Sequence, residues 1–328
     1  MGASGSRLLS GHAAIWDELE TEFAAFAGTE AALYFGSGYA ANLGLLTSLF
    51  GRNDIIFSDA LNHASLIDGM RLCGAQKVIY PHLDLEALEA TLRDHSDSRG
   101  RKAIVTESVF SMDGDPAPIA ELFVLAERYG AGLIVDEAHA TGVHGPSGRG
   151  LVAAARAEEK VWAVVHTCGK ALASVGAFVC GSELLKQHLI NRARTFIFST
   201  AQPPYMARQV QAALRLAISM ESERAALLDR SQRFAAMLRA DGWDTAGATT
   251  QIVPVVIGDN SEALAAAEHL RREGFAVRAI RPPTVPEGQA RLRLSLTCDI
   301  SSTELNRLSE SLGAWREQHA CTANADWT

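Results

Sequence analysis

The chain has 328 residues, 48% of them hydrophobic and 21% charged, and a formal net charge of −8 at pH 7. That supplies material for a large core in one or two domains, and the acidic balance argues against nucleic acid as the main partner. No apolar run approaches the roughly 20 residues needed to cross a bilayer, and the start Met1-Gly2-Ala3-Ser4-Gly5 has no signal-peptide regions, so no membrane partner and a cytoplasmic address are expected.

From Ser10 onward, Ile15, Leu19, Phe23 and Phe26 fall at helical spacing, with Ser10 as N-cap and Gly28 as stop. A short apolar run, Ala31 to Phe35, leads into Gly36-Ser37-Gly38 and a helical stretch from Tyr39 to Phe50, which reads as strand, tight turn and helix. Further apolar runs at 54–57, 77–80, 102–106, 132–135, 161–167 and 177–180 are short and β-branched, as buried strands are. Helical patterns such as 119–129 separate several of them, so an α/β layer with a mainly parallel sheet is expected. After Pro203-Pro204 the pattern predicts one long helix to about Arg239, then a strand at 251–257, a helix at 261–273 and strands at 275–280 and 291–296. This divides the chain into a large domain over 1–215, a smaller α+β domain over 216–318 and a tail over 319–328. The cysteines Cys73, Cys168, Cys180, Cys298 and Cys321 are scattered and never form a C-x-x-C pair, which suggests neither a disulfide framework nor a metal site.

Three places carry chemistry. The turn Gly36-Ser37-Gly38-Tyr39 opens a helix whose backbone amides and positive end can hold a phosphate. It also nearly matches the dinucleotide fingerprint, with Asp59 about 20 residues further on, which keeps a nicotinamide-dependent oxidoreductase in play. The run GLIVDEAHATG delivers Asp136 at a strand end and His139 just beyond, at the edge where α/β ligands bind. In HTCGKALASVGAFVCG, Lys170 sits in a turn of small residues that leaves room for a ring beside an amine.

With these places in order, the chain resembles the α-oxoamine synthase family of fold-type I enzymes dependent on pyridoxal 5′-phosphate (PLP). The resemblance runs from about Gly5 to about Leu312 and rests on SGYAANLGLL, DALNHASLIDGMRL, TESVFSMDGDPAPI, VDEAHATGVHGPSGRG, TCGKALASVGAFV, FIFSTAQPP and IRPPTVPEGQARLRLSLT. It implies a large PLP-binding domain like that of aspartate aminotransferase and a smaller C-terminal domain. Lys170 would be the Schiff-base lysine, Asp136 the partner of the pyridine nitrogen, and His139 a donor to the ring's phenolic oxygen. His63 would stack on the ring, and Ser111 would contact the ring or its phenolic oxygen. Gly38, Tyr39 and Thr167 would bind the phosphate, with Ser199 or Thr200 reaching it from a neighbouring subunit of a homodimer.

Arg293 and Arg7 would bind substrate. Arg291 lies on the same face of its strand as Arg293 by period two, so the sequence leaves the choice between them open, and the resemblance favours Arg293. The stretch from Ile280 and FSMDGDPAPI are closest to members that join L-alanine to a pimeloyl thioester, from pimeloyl-CoA or pimeloyl-acyl carrier protein, with loss of carbon dioxide. A sister synthase using glycine is the alternative. Departures are Glu137 where many relatives have Asp, Cys168 where Phe or Leu is common, and the expected absence of an N-terminal arm before SRLLSG.

Overall fold

The computed structural model describes residues 2–323. Residues 324–328 of the expected tail lie outside the described residues. The chain forms two compact units, one of the residues up to Val109 with Ala117–Glu221, the other of Phe110–Pro116 with the chain from Ser222 onward.

The first unit is built on seven strands: β1 (Ala31–Phe35), β2 (Ile55–Asp59), β3 (Gln76–Tyr80), β4 (Lys102–Glu107), β5 (Gly132–Asp136), β6 (Ala163–Thr167) and β7 (Ala177–Gly181). Their order in the sheet is β1-β7-β6-β5-β4-β2-β3. The pairs from β3 through β6 are parallel, and β7 runs antiparallel to both β6 and β1. Five of the seven strands, β1, β2 and β5 to β7, are buried at all five positions and β4 at all six, which is why each carries a continuous apolar stretch of three or more residues. On one face, Ile56, Val105, Ile134 and Val165 pack with Leu45, Leu46, Leu66 and Leu189 of the covering helices. On the other, Phe178 stacks on Phe23 of the helix Ala14–Ala27, ring centroids 3.8 Å apart.

That first helix departs from its predicted start. It begins at Ala14 with Ala13 as N-cap and no side-chain cap bond, while Ser10 accepts a hydrogen bond from the Ser4 hydroxyl at 3.0 Å. Its buried stripe is Trp16, Leu19, Phe23 and Phe26, with Ile15 only half-buried. Gly28 ends it with φ 74°, donating its N–H to the Ala24 carbonyl, a conformation that favours glycine.

The single long helix expected after Pro204 is two, Pro204–Ser219 and Glu221–Ala240, broken at Met220 (φ −90°, ψ 46°). No glycine or proline marks the break. The first of the two packs on the helix Ala14–Ala27 inside the first unit, whereas the second belongs from Ser222 to the other unit. A change of packing partner is invisible to helical periodicity. The second unit holds an antiparallel sheet in the order β8 (Ile252–Gly258), β10 (Ala290–Ser295), β9 (Arg278–Ile280). Strand β9 starts three residues later than the apolar pattern suggests.

Candidate active site

In a parallel sheet the carboxyl ends of the strands open onto the ligand side. Here β4 ends on Glu107, β5 on Asp136 and β6 on Thr167, with Glu107 and Asp136 in register; the turns after β2 and β6 add His63 and Lys170. The loop after β1 brings Gly36, Ser37 and Gly38 to the same edge. Together they enclose a cavity of about 380 Å³, within the range of small-ligand sites. Of the residues singled out in the sequence, Gly38, Tyr39, His63, Asp136, His139, Thr167 and Lys170 line it.

At one end, the helix Gly38–Leu49 points its N-terminus into the cavity, where free amides and the helix dipole favour an anion. Ser37 caps it, its hydroxyl accepting from the Ala40 N–H at 3.1 Å. Gly38 sits so close to β6 that a β-carbon there would lie 2.7 Å from Thr167 Cγ2. Replacing Gly38 with Ala is therefore expected to cost about 1–3 kcal/mol of stability through overpacking and to weaken PLP binding. Adding Thr167→Ser, which removes the obstructing methyl and keeps the hydroxyl, should restore much of both. Thermal melting and a PLP titration of the two variants check this; equal damage in single and double variants would show that the close approach is not the cause.

The floor is Asp136, 4% exposed. Its Oδ2 accepts from Asn42 Nδ2 at 2.7 Å and its Oδ1 from the Ala138 N–H at 2.9 Å. The other hydrogen of the Asn42 amide goes to Ser65 Oγ at 2.9 Å, and that hydroxyl meets His63 Nδ1 at 2.7 Å. One line of bonds thus ties the carboxylate of β5 to the imidazole across the cavity. Behind it, Glu137 is fully buried and takes Ser108 Oγ at 2.6 Å and the Val152 N–H at 2.7 Å, fastening the loop that follows Asp136.

The residues present fit PLP. An anion-binding helix end, a buried carboxylate held by two donors, an amine and an imidazole share one cavity. Its lining also contains three buried polar atoms with no hydrogen-bond partner among the described residues, Asn42 Oδ1, Glu107 Oε1 and Ser174 Oγ, as a site made for a polar ligand requires. Sequence reasoning missed Asn42, Ser65, Glu107 and Ser174. The available signal was a lone amide, Asn42, among the small and apolar residues of SGYAANLGLL.

The other designated residues are not among those lining this cavity. Ser199 and Thr200 are exposed and do not line the cavity, and Thr200 bridges Ser6. Arg7 does not line it either: its guanidinium is bound to Glu20, 1% exposed, and lies 5.4 Å from the centroid of the Phe196 ring. Ser111 and Arg293 belong to the second unit, where Arg293 Nη1 donates to Ser295 Oγ at 2.6 Å and its Nε to the Ser111 carbonyl. Arg291, on the same strand face, is 4% exposed and ion-paired with Asp113.

The pair separates cleanly by experiment. Arg291→Met should lose roughly 3–5 kcal/mol in a urea melt, the cost of orphaning a buried partner. Arg293→Met should melt near wild type but raise KM for the amino acid roughly ten- to a hundredfold, one charge-assisted contact of about 1.5–3 kcal/mol. The reverse pattern would give the substrate to Arg291.

Asp59 is not free for a ribose: it accepts from the Leu61 N–H at 2.8 Å, the Leu83 N–H at 3.0 Å and pairs with His82 at 2.8 Å. Among the described residues no group of three or more His, Cys, Asp or Glu is placed to hold a metal ion, and no helix is long and apolar enough to cross a membrane.

Residues 1–312 match the family described as aminotransferase class I and II. An 8-amino-7-oxononanoate synthase of Burkholderia vietnamiensis is 49% identical over 325 residues, 97% of this chain and 80% of that protein. A solved 8-amino-7-oxononanoate synthase of Francisella tularensis superposes with a TM-score of 0.83 at 29% identity, covering 94% of this chain and 89% of that one. A serine palmitoyltransferase of S. paucimobilis, solved with bound PLP–myriocin, gives a TM-score of 0.92 at 30% identity over 97% of this chain and 80% of its own.

Proposed function

We infer the reaction from one premise: the chain belongs to the aminotransferase class I and II family, in its α-oxoamine synthase branch, and is a PLP-dependent acyltransferase. The activity is that of an 8-amino-7-oxononanoate synthase, which joins L-alanine to a pimeloyl thioester in biotin biosynthesis and releases carbon dioxide and the free thiol. The observation that carries this reading is that one cavity brings together Lys170, Asp136 and His63 in a chain 49% identical to such a synthase.

Bound PLP supplies an electron sink for the charge left when a bond to the substrate α-carbon breaks. Lys170 would anchor the cofactor, and its free amine would take the proton from the substrate α-carbon and later return one to the product. Asp136, held in place by the Asn42 and Ala138 donors, would meet the ring nitrogen and hold its proton there. His139 lines the cavity and is our choice of donor to the phenolic oxygen. His63, whose Nδ1 is occupied by Ser65, has Nε2 left to face the ring and to act as acid at the thioester oxygen. Gly38, Tyr39 and Thr167 take the phosphate.

For the amino-acid carboxylate we choose Arg293, whose planar fork suits it and which, unlike Arg291, has no carboxylate partner among the ion pairs of the described residues. Arg7, its guanidinium held by Glu20, which also pairs with Lys186, would be a second substrate contact. Ser111 stands beside Arg293 as a contact to the cofactor. Exposed Ser199 or Thr200 would reach the phosphate of a partner's site in a homodimer. The acyl donor is pimeloyl-CoA or pimeloyl-acyl carrier protein.

The test is an assay of the PLP-loaded protein with L-alanine, glycine or L-serine and each pimeloyl thioester, reading free thiol and product mass. L-Alanine should give 8-amino-7-oxononanoate fastest. Faster turnover of glycine would move the chain to a sister synthase.

A further inference from the structure

Glu107 is used by nothing described so far. It ends β4, is 2% exposed, and lines the cavity beside Asp136, its register partner on β5. Its Oε1 is buried with no hydrogen-bond partner among the described residues. Two acidic residues in register on neighbouring strands, whose backbones run about 4.8 Å apart, cannot both ionise cheaply when both are buried. The surroundings decide which one keeps the charge. Asp136 has two donors, one on each oxygen, and Glu107 forms no ion pair among the described residues.

We propose, building on the functional reading above, that Glu107 is a positioning residue that works uncharged, leaving Asp136 the only anion on the floor and donating a hydrogen bond from its carboxyl into the cavity. A single negative charge then faces a single protonated ring nitrogen, and a second would attract surplus cations or protons to the floor. The groups whose fields reach Glu107 agree. Burial, then Asp136 and Asp59, push its pKa well above the ordinary carboxylate range, while the His63 backbone N–H and Lys170 pull it down less.

The test compares Glu107→Gln, which keeps the shape and a neutral donor, with Glu107→Met, which keeps only the volume. In the protein without PLP, infrared difference spectra of wild type against Glu107→Gln at neutral pH should show the band of a protonated carboxyl; an ionised carboxylate band instead overturns the proposal. In PLP titrations, Glu107→Gln should bind within about threefold of wild type with an unchanged visible spectrum and pH profile, while Glu107→Met binds tenfold or more weakly. A Gln variant as impaired as Met, or a Met variant that binds normally, overturns it too. Should Glu107→Met not fold, the infrared and Gln arms decide. If wild type itself takes up no PLP, the functional reading fails, and the infrared arm still decides this one.

Discussion

Replacing Lys170 with Ala should abolish the visible absorption of the lysine-bound cofactor and lower kcat by about four orders of magnitude or more, the upper end of what one general base contributes with the covalent anchor lost as well. The side chain is exposed on the cavity wall and forms no hydrogen bond or ion pair among the described residues, so its loss removes chemistry without removing packing. Melting should shift little for the protein without PLP. PLP should still bind through its phosphate and ring-nitrogen contacts, more weakly and reversibly on dialysis. A visible band that survives the substitution, or activity within tenfold of wild type, would transfer the anchor to another amine and remove the mechanism given above.

What could be read from sequence was whatever chemistry follows a strand directly. Asp136, Thr167 and Lys170 are located by β5 and β6, and apolar runs bounded by small residues reveal those strands without any tertiary knowledge. His63 and Gly38 follow β2 and β1 at equally short range. Asn42 was not legible, because its role depends on which face of the helix Gly38–Leu49 turns toward β5. Glu107 carries no sequence signal that separates it from any strand-end acid; its register against Asp136 does that. Local pattern also misled. Ser10 is a good capping type, yet the helix waits until Ala14, where Trp16 can stack on Tyr34 at 4.5 Å, so burial outweighs a cap worth about 1 kcal/mol.

The second large effect belongs to Asp136. Asp136→Asn preserves volume and can still accept the Ala138 N–H, but it sets an amide against the Asn42 amide that now donates at 2.7 Å. Asn42 can turn over to present its unpartnered Oδ1, at the cost of the Nδ2 bond to Ser65, so the fold should lose roughly 1–3 kcal/mol, the range for a disturbed buried polar contact. Catalysis cannot compensate in the same way. An amide carries no charge to hold a proton on the ring nitrogen, and the loss of one preorganised electrostatic partner is worth about 10²–10³ in kcat. PLP affinity should fall less than kcat, because the phosphate end and Lys170 still hold the cofactor. Asn42→Ala supplies the graded comparison: the carboxylate remains but loses one of its two donors, so kcat should fall by about tenfold, a single hydrogen bond of about 1–1.5 kcal/mol. If Asp136→Asn turned over within tenfold of wild type, or Asn42→Ala proved the worse of the two, the ring nitrogen would have to be met by another group.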